Sequence, residues 1–197
     1  MFTNRNKKMN FISIYKNAMT DKDCDEIINQ FEKNPQYQKK GVSGLNQYPF
    51  AGVQPDKKKS TDITYNINKN AVTSEIIKKS LDKHVCNYIK EYPDINKQLA
   101  NWACVPEYNV QKYKPNEGYF APHCENCDKH SSNWVLAWMY YLNDVPDGGT
   151  LFPTLDVKLE AIKGTLALWP AYWTHVHMGQ ISKTHTKYIV TGWYAYV

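Results

Sequence analysis

Tyr113-Lys114-Pro115-Asn116-Glu117-Gly118-Tyr119-Phe120-Ala121-Pro122-His123-Cys124-Glu125 is the stretch on which the reading of this 197-residue chain turns. A strand-like run gives way to a Pro/Asn/Gly turn, and a His-x-Glu pair follows. Side chains two apart share a face of a strand, so His123 and Glu125 are expected to point the same way. His177 lies 54 residues further on, and Lys187 ten beyond that. Two imidazoles and one carboxylate on one side of a metal leave the other side open, a pattern that suits non-haem Fe(II). His175 is the rival distal histidine, since in a regular strand it shares a face with His177. The ten-residue spacing to Lys187 and the following Gly179 favour His177, and His175 then becomes a candidate orienting partner. The one arginine, Arg5, sits near an N-terminus that reads as loose, so a buried cation is expected to be a lysine, a point charge where arginine gives a fork.

Outward from that stretch, the chain reads as helices first and strands after. Residues 1–10 are polar and basic and are expected to fray. Phe11–Tyr15 alternates as an opening strand. Thr20-Asp21-Lys22-Asp23 offers a capping hydroxyl with a carboxylate three residues on. Cys24, Ile27, Ile28 and Phe31 then recur at helical spacing, until Pro35. Residues 36–60, punctuated by Gly41, Gly44, Pro49, Gly52 and Pro55, read as a loop or lid, with a floppy insertion as the equal alternative. A second helix is expected over Ser74–Tyr92, its stripe formed by Ile77, Leu81, Val85, Tyr88, Ile89 and Tyr92, with His84 packed beside it and Pro93 ending it. From Trp102 the pattern becomes strand-like: Val105–Tyr113, Trp134–Leu142, Leu159–Ile162, Thr165–Trp169, His175–Gly179 and Lys187–Tyr196. Asp147-Gly148-Gly149 and Lys163-Gly164 supply hairpin turn chemistry. Two helices before about eight short strands argue a single α+β domain over residues 1–197: a double-stranded β-helix, or cupin-like jelly roll, with flanking N-terminal helices.

Composition fits that architecture. Fifteen tyrosines and six tryptophans in a chain of 14% aromatics suggest a ring-rich interior with polar edges, suited to a small barrel around a polar cavity. A net charge of +5 reads mainly as solvated surface, and near-absence of arginine argues against nucleic acid as a partner. No apolar run approaches the ~18 residues of a membrane span. Without a signal-like apolar N-terminus, the five cysteines are expected to be reduced thiols in a cytoplasmic protein. Cys124-x-x-Cys127, between His123 and His130, invites a zinc reading, but no second Cys-x-x-Cys completes a structural site.

Four segments in order carry a family resemblance. They are the Tyr113–Glu125 stretch, Tyr140-Tyr141-Leu142-Asn143-Asp144-Val145-Pro146-Asp147-Gly148-Gly149-Thr150-Leu151-Phe152-Pro153, His177-Met178-Gly179 with Lys187-Tyr188 and Thr191-Gly192-Trp193, and upstream Lys59-Ser60-Thr61-Asp62. Together they resemble the 2-oxoglutarate/Fe(II)-dependent dioxygenases of the prolyl 4-hydroxylase type, over about the last half of the chain. The resemblance implies that His123, Glu125 and His177 bind iron and that Lys187 pairs with the far carboxylate of 2-oxoglutarate, helped by the Tyr113 hydroxyl. It implies Fe(II), 2-oxoglutarate and O₂ as cofactors, with ascorbate as a further one, and a proline-containing peptide or protein as substrate. Glu125 stands where the family mostly has aspartate, and Tyr113 lies one residue further from the proximal histidine than usual. Two rivals stand beside this reading: a hydroxylase of a free amino acid or another protein side chain, and a binding module on the same fold that has lost turnover. Trp173 and Trp193 are candidate pocket residues, though core positions are commoner for such tryptophans. His130 and His185 read as solvent-side histidines, and Glu117 and Asp128 as solvated turn carboxylates.

Overall fold

The computed structural model describes residues 9–43, 52–69 and 71–197. The expectation of a frayed start falls largely outside the described residues, as do residues 44–51 of the 36–60 segment; the rest of that segment is irregular apart from a 3₁₀ turn at Pro35–Tyr37, a two-residue strand at Lys39–Lys40 and bridges of Ser43 to Gly52 and of Lys58 to Tyr119. Strand β1 (Ser13–Tyr15) leads into helix α1 (Asp21–Glu32), then β2 (Lys39–Lys40), β3 (Thr61–Asn66), α2 (Val72–Glu91), α3 (Asp94–Gln98) and β4 (Trp102–Cys104). The remaining strands are β5 (Glu107–Tyr113), β6 (Trp134–Tyr141), β7 (Val145–Phe152), β8 (Val157–Ala161), β9 (Leu166–Pro170), β10 (Met178–Gly179) and β11 (Lys187–Tyr196). The large antiparallel sheet runs β1-β9-β6-β11-β5-β3-β2, with β4 also paired to β11; the small one runs β10-β7-β8. Two facing antiparallel sheets with helices on one outer side form the double-stranded β-helix.

Period-two alternation divides the core into two layers. On β6, Leu136, Trp138 and Tyr140 face the helices while Ala137, Met139 and Tyr141 face the barrel; on β9, Leu166 and Leu168 face out while Ala167 and Trp169 face in. Both faces of β6 are covered, which is why it reads as an unbroken apolar run. The outer layer is closed by Cys24, Ile27 and Phe31 of α1 and by Ile77, Leu81, Val85 and Tyr88 of α2. Each large apolar side chain so buried contributes roughly 1.5–3 kcal/mol. Thr20 caps α1 as its sequence predicts, its hydroxyl accepting from the Asp23 amide at 3.1 Å. His84 is buried on α2 and its Nδ1 meets the Ser80 carbonyl, a packing role.

Three local expectations need correction. Asp147-Gly148-Gly149 is no hairpin turn; it lies inside β7, where the register against β8 shifts between Val145 and Thr150. The glycines answer close approach: a Cβ on Gly149 would strike the Leu159 carbonyl, and one on Gly148 the Val145 side chain. Lys163-Gly164 connects β8 to β9, which belong to different sheets, so it turns a corner between them. Gly164 takes a left-handed φ of 75° there, and a Cβ would meet the Met19 carbonyl. Finally, neither His123–Glu125 nor His175–Gly179 is a continuous strand. His123 and His177 form an isolated antiparallel bridge, and Trp173–His175 is a turn of 3₁₀ helix. No helix among the described residues is long and apolar enough to cross a membrane.

Candidate active site

The bridge between His123 and His177 is the foundation of the site. Each amide donates to the other's carbonyl at 2.9 Å, which fixes two segments 54 residues apart side by side. The imidazole rings then lie 4.3 Å apart between centroids. Glu125 joins them because its amide and that of Asn126 both donate to the Ala171 carbonyl, at 3.1 and 2.9 Å. Among the described residues, His123, Glu125 and His177 are the cluster able to hold a metal ion, with one ligand atom of each lying within 4.8 Å of the others. Neither Cys124 nor Cys127 belongs to it; the Cys124 thiol donates weakly to the Asn126 carbonyl and Cys127 is exposed.

The second layer orients both rings alike. His123 Nδ1 meets the Ala121 carbonyl at 3.0 Å and His177 Nδ1 the His175 carbonyl at 2.9 Å. With Nδ1–H donating to a carbonyl, each ring turns Nε2 inward as a lone-pair donor, the arrangement metal-binding histidines use. His175 thus supports its neighbour through its backbone. Its ring turns away, with Nε2 2.8 Å from the Asn10 carbonyl and Nδ1 2.9 Å from the Thr174 hydroxyl. The 3₁₀ turn breaks the alternation that would have put both rings on one face. Glu125 Oε1 lies 3.2 Å from His177 Nε2, and Oε2 accepts from the Trp193 indole at 2.8 Å. Tyr119 stacks on His123 at 3.6 Å, and Trp169 and Phe152 flank His177.

Electrostatics favour the ligand forms. Burial, helped by the nearby His177, pushes His123 down to about 4, so the ring is neutral near pH 7. Burial alone would raise the Glu125 carboxyl, but the adjacent His177 and His123 imidazoles and the Trp193 indole bring it down to about 2. One anionic oxygen and two imidazole lone pairs therefore converge on one point. That donor set fits a divalent transition metal.

Lys187 lies in the same cavity, which has a volume of about 630 Å³. It begins β11 opposite Tyr113 on β5. The lysine is 5% exposed, donates to the Gly148 and Gln180 carbonyls at 2.7 and 3.0 Å, and has its ammonium 5.2 Å from the Tyr113 ring centre. Burial pushes it down to about 8. Among the described residues no carboxylate pairs with it. The Tyr113 hydroxyl donates to Gln111 Oε1 at 2.6 Å.

Alternation along two adjacent strands lines the rest of the cavity: Glu107, Asn109, Gln111 and Tyr113 on β5, and Lys187, Ile189, Thr191 and Trp193 on β11. Trp193 is thus a cavity residue, whereas Trp173 is 76% exposed and outside it. His130 reaches the rim, and His185 is exposed. Asp128 reaches the cavity wall but caps a turn by accepting from Ser131. Glu117 accepts from the Lys114 amide and pairs with Lys59 at 3.5 Å. Residues not foreseen include Tyr119, Trp134, Gln111 and Lys58. Lys58 is buried, lies 2.8 Å from Asp62 and bridges through its backbone to Tyr119, while Lys57 and Lys59 are exposed. The alternation from Tyr113 and Lys187 was a signal sufficient to find Gln111; no local pattern marks the others.

The 2OG-Fe(II) oxygenase superfamily model matches residues 108–195, a span that contains the triad, Lys187 and Tyr113. No curated protein sequence matches this chain. Solved structures share its fold. A viral collagen prolyl hydroxylase from Paramecium Bursaria Chlorella virus-1, in a 2OG complex, has a TM-score of 0.69 at 20% identity, covering 95% of this chain and 97% of that one. A Pseudomonas putida prolyl-4-hydroxylase gives 0.70 at 13%, covering 95% and 94%. A Trichoplax adhaerens prolyl hydroxylase, bound to a hypoxia inducible factor oxygen degradation domain peptide fragment, gives 0.70 at 19%, covering 95% and 84%. Residues 108–195 thus resemble the 2OG-Fe(II) oxygenase superfamily, and the chain shares its fold with solved prolyl hydroxylases.

Proposed function

We propose that the chain is one oxygenase domain that uses Fe(II), 2-oxoglutarate and O₂ to hydroxylate a substrate C–H bond, and that the substrate is a prolyl residue in a peptide or protein. The observation that carries the reading is Lys187, a buried cation without a carboxylate partner among the described residues, in the cavity that also holds His123, Glu125 and His177. Ligand atoms for a metal and a lone cation in one pocket suit a co-substrate that chelates at one end and carries a carboxylate at the other. When bound, iron, 2-oxoglutarate and O₂ supply the oxidising chemistry, with 2-oxoglutarate leaving as succinate and CO₂.

The chain's own residues bind, orient and exclude water. His123 and His177 offer Nε2, held by the carbonyls on Nδ1, and Glu125 offers Oε1. Lys187 holds the far carboxylate, and the Tyr113 hydroxyl donates to the same group once it releases Gln111. Phe152 and Trp169 close the wall behind His177 and keep water from that side. Also lining the cavity, Trp134 and Trp193 stack 4.1 Å apart and offer a ring surface to the substrate, and a pyrrolidine ring fits such a surface. The collagen and hypoxia-factor substrates named for similar structures support a prolyl peptide. The five free cysteines support a reducing, cytoplasmic setting.

The test is incubation of the protein with proline-rich peptides, Fe(II), 2-oxoglutarate and ascorbate, followed by mass spectrometry. A gain of one oxygen on proline, with succinate formed in step, supports the reading. Oxygen gained on another residue or on a free amino acid replaces the substrate. No succinate under any condition removes the oxygenase.

A further inference from the structure

We propose that Trp193 is a positioning residue whose indole N–H occupies one oxygen of Glu125, so that this long carboxylate can offer a metal only its other oxygen. The inference rests on reading His123, Glu125 and His177 as the metal-binding set. Glutamate has one more methylene, and one more torsion, than the aspartate usual at this place. That freedom lets both of its oxygens swing onto a single ion, since carboxylates bind metals through one oxygen or two. A second oxygen would fill a position that a chelating co-substrate needs open.

The geometry guards against that. Nε1 of Trp193 lies 2.8 Å from Oε2, a charge-assisted hydrogen bond, while Oε1 is the oxygen turned toward the histidines. The indole itself is held. It stacks on Trp134 at 4.1 Å and 19°, and β11 slips register against β6 just beyond it, between Tyr194 and Ala195. Gly192, immediately before it, brings the backbone against the Trp138 ring, where a Cβ would collide. Asn126, next to Glu125, donates from its side chain to the Trp134 carbonyl at 3.0 Å. Glu125, Trp193, Trp134 and Asn126 therefore form a closed circuit that joins the carboxylate's loop to the strand pair holding its clamp. A core tryptophan would need only the packing; the aimed N–H and the laced loop are what assign the role.

The experiment uses the full chain loaded with Mn(II). Proton relaxivity follows the exchangeable waters on the ion, and 2-oxoglutarate affinity follows the positions left open. Trp193→Phe keeps a ring against Trp134 and removes the donor. It should lose relaxivity equivalent to about one metal-bound water and bind 2-oxoglutarate about tenfold more weakly or worse, with Mn(II) affinity kept or increased. Adding Glu125→Asp to Trp193→Phe should restore both values, because the shorter chain cannot wrap the ion from this backbone. Unchanged relaxivity and 2-oxoglutarate affinity in Trp193→Phe overturn the proposal. If Trp193→Phe does not fold, Trp134→Ala keeps the donor but frees the indole and should move both readouts part of the way; no movement overturns it too. A wild-type relaxivity that already shows a two-oxygen carboxylate overturns it directly. Failure of the wild-type chain to bind Mn(II) at all removes the metal site itself, and is distinct from the other outcomes.

Discussion

The two ends of the cavity are both buried and both charged, yet they are balanced in opposite ways. At the triad end, Glu125 accepts from Trp193 on one oxygen and holds the other 3.2 Å from His177 Nε2, and each histidine is tied through Nδ1 to a carbonyl. Everything there is oriented, and the unmet need is for a cation. At the other end, Lys187 donates, among the described residues, only to the Gly148 and Gln180 carbonyls, and the unmet need is for an anion. Depressing a lysine from 10.5 to about 8 corresponds to about 3 kcal/mol spent on keeping its charged form buried. A fold retains such a cost when a ligand offsets it. The contrast is what the proposal of a metal at one end and an anion at the other rests on, and each can be broken separately.

The largest expected effect is at the triad. His123→Ala or His177→Ala removes one of three ligands and should abolish binding of a stoichiometric divalent metal, read by Mn(II) titration. His175→Ala keeps the backbone carbonyl that orients His177 and should bind metal nearly normally. Loss in His175→Ala with retention in His177→Ala would reverse the assignment. Next in size is Lys187→Met. Leaving a buried carboxylate without its cation costs on the order of 3–5 kcal/mol, so 2-oxoglutarate should bind at least hundreds-fold more weakly. Metal affinity should hardly move, and equal losses of both would mean that the two ends are not separate.

pH sharpens the same contrast. A carboxylate ligand selects the protonated lysine, so 2-oxoglutarate affinity should be flat below about 8 and fall roughly tenfold per pH unit just above it. Stability of the ligand-free protein should move the other way. The folded value lies below the unfolded one, so between about 8 and 10.5 the unfolded chain binds more protons and this group's contribution to stability rises with pH. Calorimetric titration and denaturant midpoints from pH 7 to 10, each compared with Lys187→Met, separate the two trends. A 2-oxoglutarate affinity that stays flat through pH 9.5 would show that another group holds the anion.

How much of this was legible depended on how local the cause was. Strand β11 is predicted and found over Lys187–Tyr196, because its alternation is long and one-sided at the cavity. Helix α1 is legible for the same reason, with an N-cap and an apolar stripe in one short window. Strand β3 is missed because Thr61–Asn66 is mostly polar and Ile63 is its one fully buried side chain. Strand β7 is missed because two adjacent glycines signal a turn locally, while the cause at Gly149 is the Leu159 carbonyl pressed against it from another strand and at Gly148 the Val145 side chain. Within the site, residue types and spacing were enough to pick out His123, Glu125, His177 and Lys187 as candidates, and the structure brings them into one cavity. The indole on Glu125 joins residues 68 apart, and no window of sequence contains it.

The smallest expected effect belongs to Tyr113, and it tests how the anion end is finished. The hydroxyl already donates to Gln111 Oε1, and a phenol has one proton to give. To reach the co-substrate's carboxylate it must surrender that bond, so the gain is a difference between a charge-assisted hydrogen bond and a neutral one. That difference is about 0.5–1.5 kcal/mol, and Tyr113→Phe should weaken 2-oxoglutarate by only about two- to tenfold. Gln111→Leu removes the competing acceptor and should tighten 2-oxoglutarate in the wild-type background while having no effect when combined with Tyr113→Phe. Paired affinity measurements on the two single variants and the double one decide it. If Gln111→Leu weakens binding as much as Tyr113→Phe does, the glutamine is holding the hydroxyl in place for the ligand, and the two side chains act as one donor unit beside Lys187.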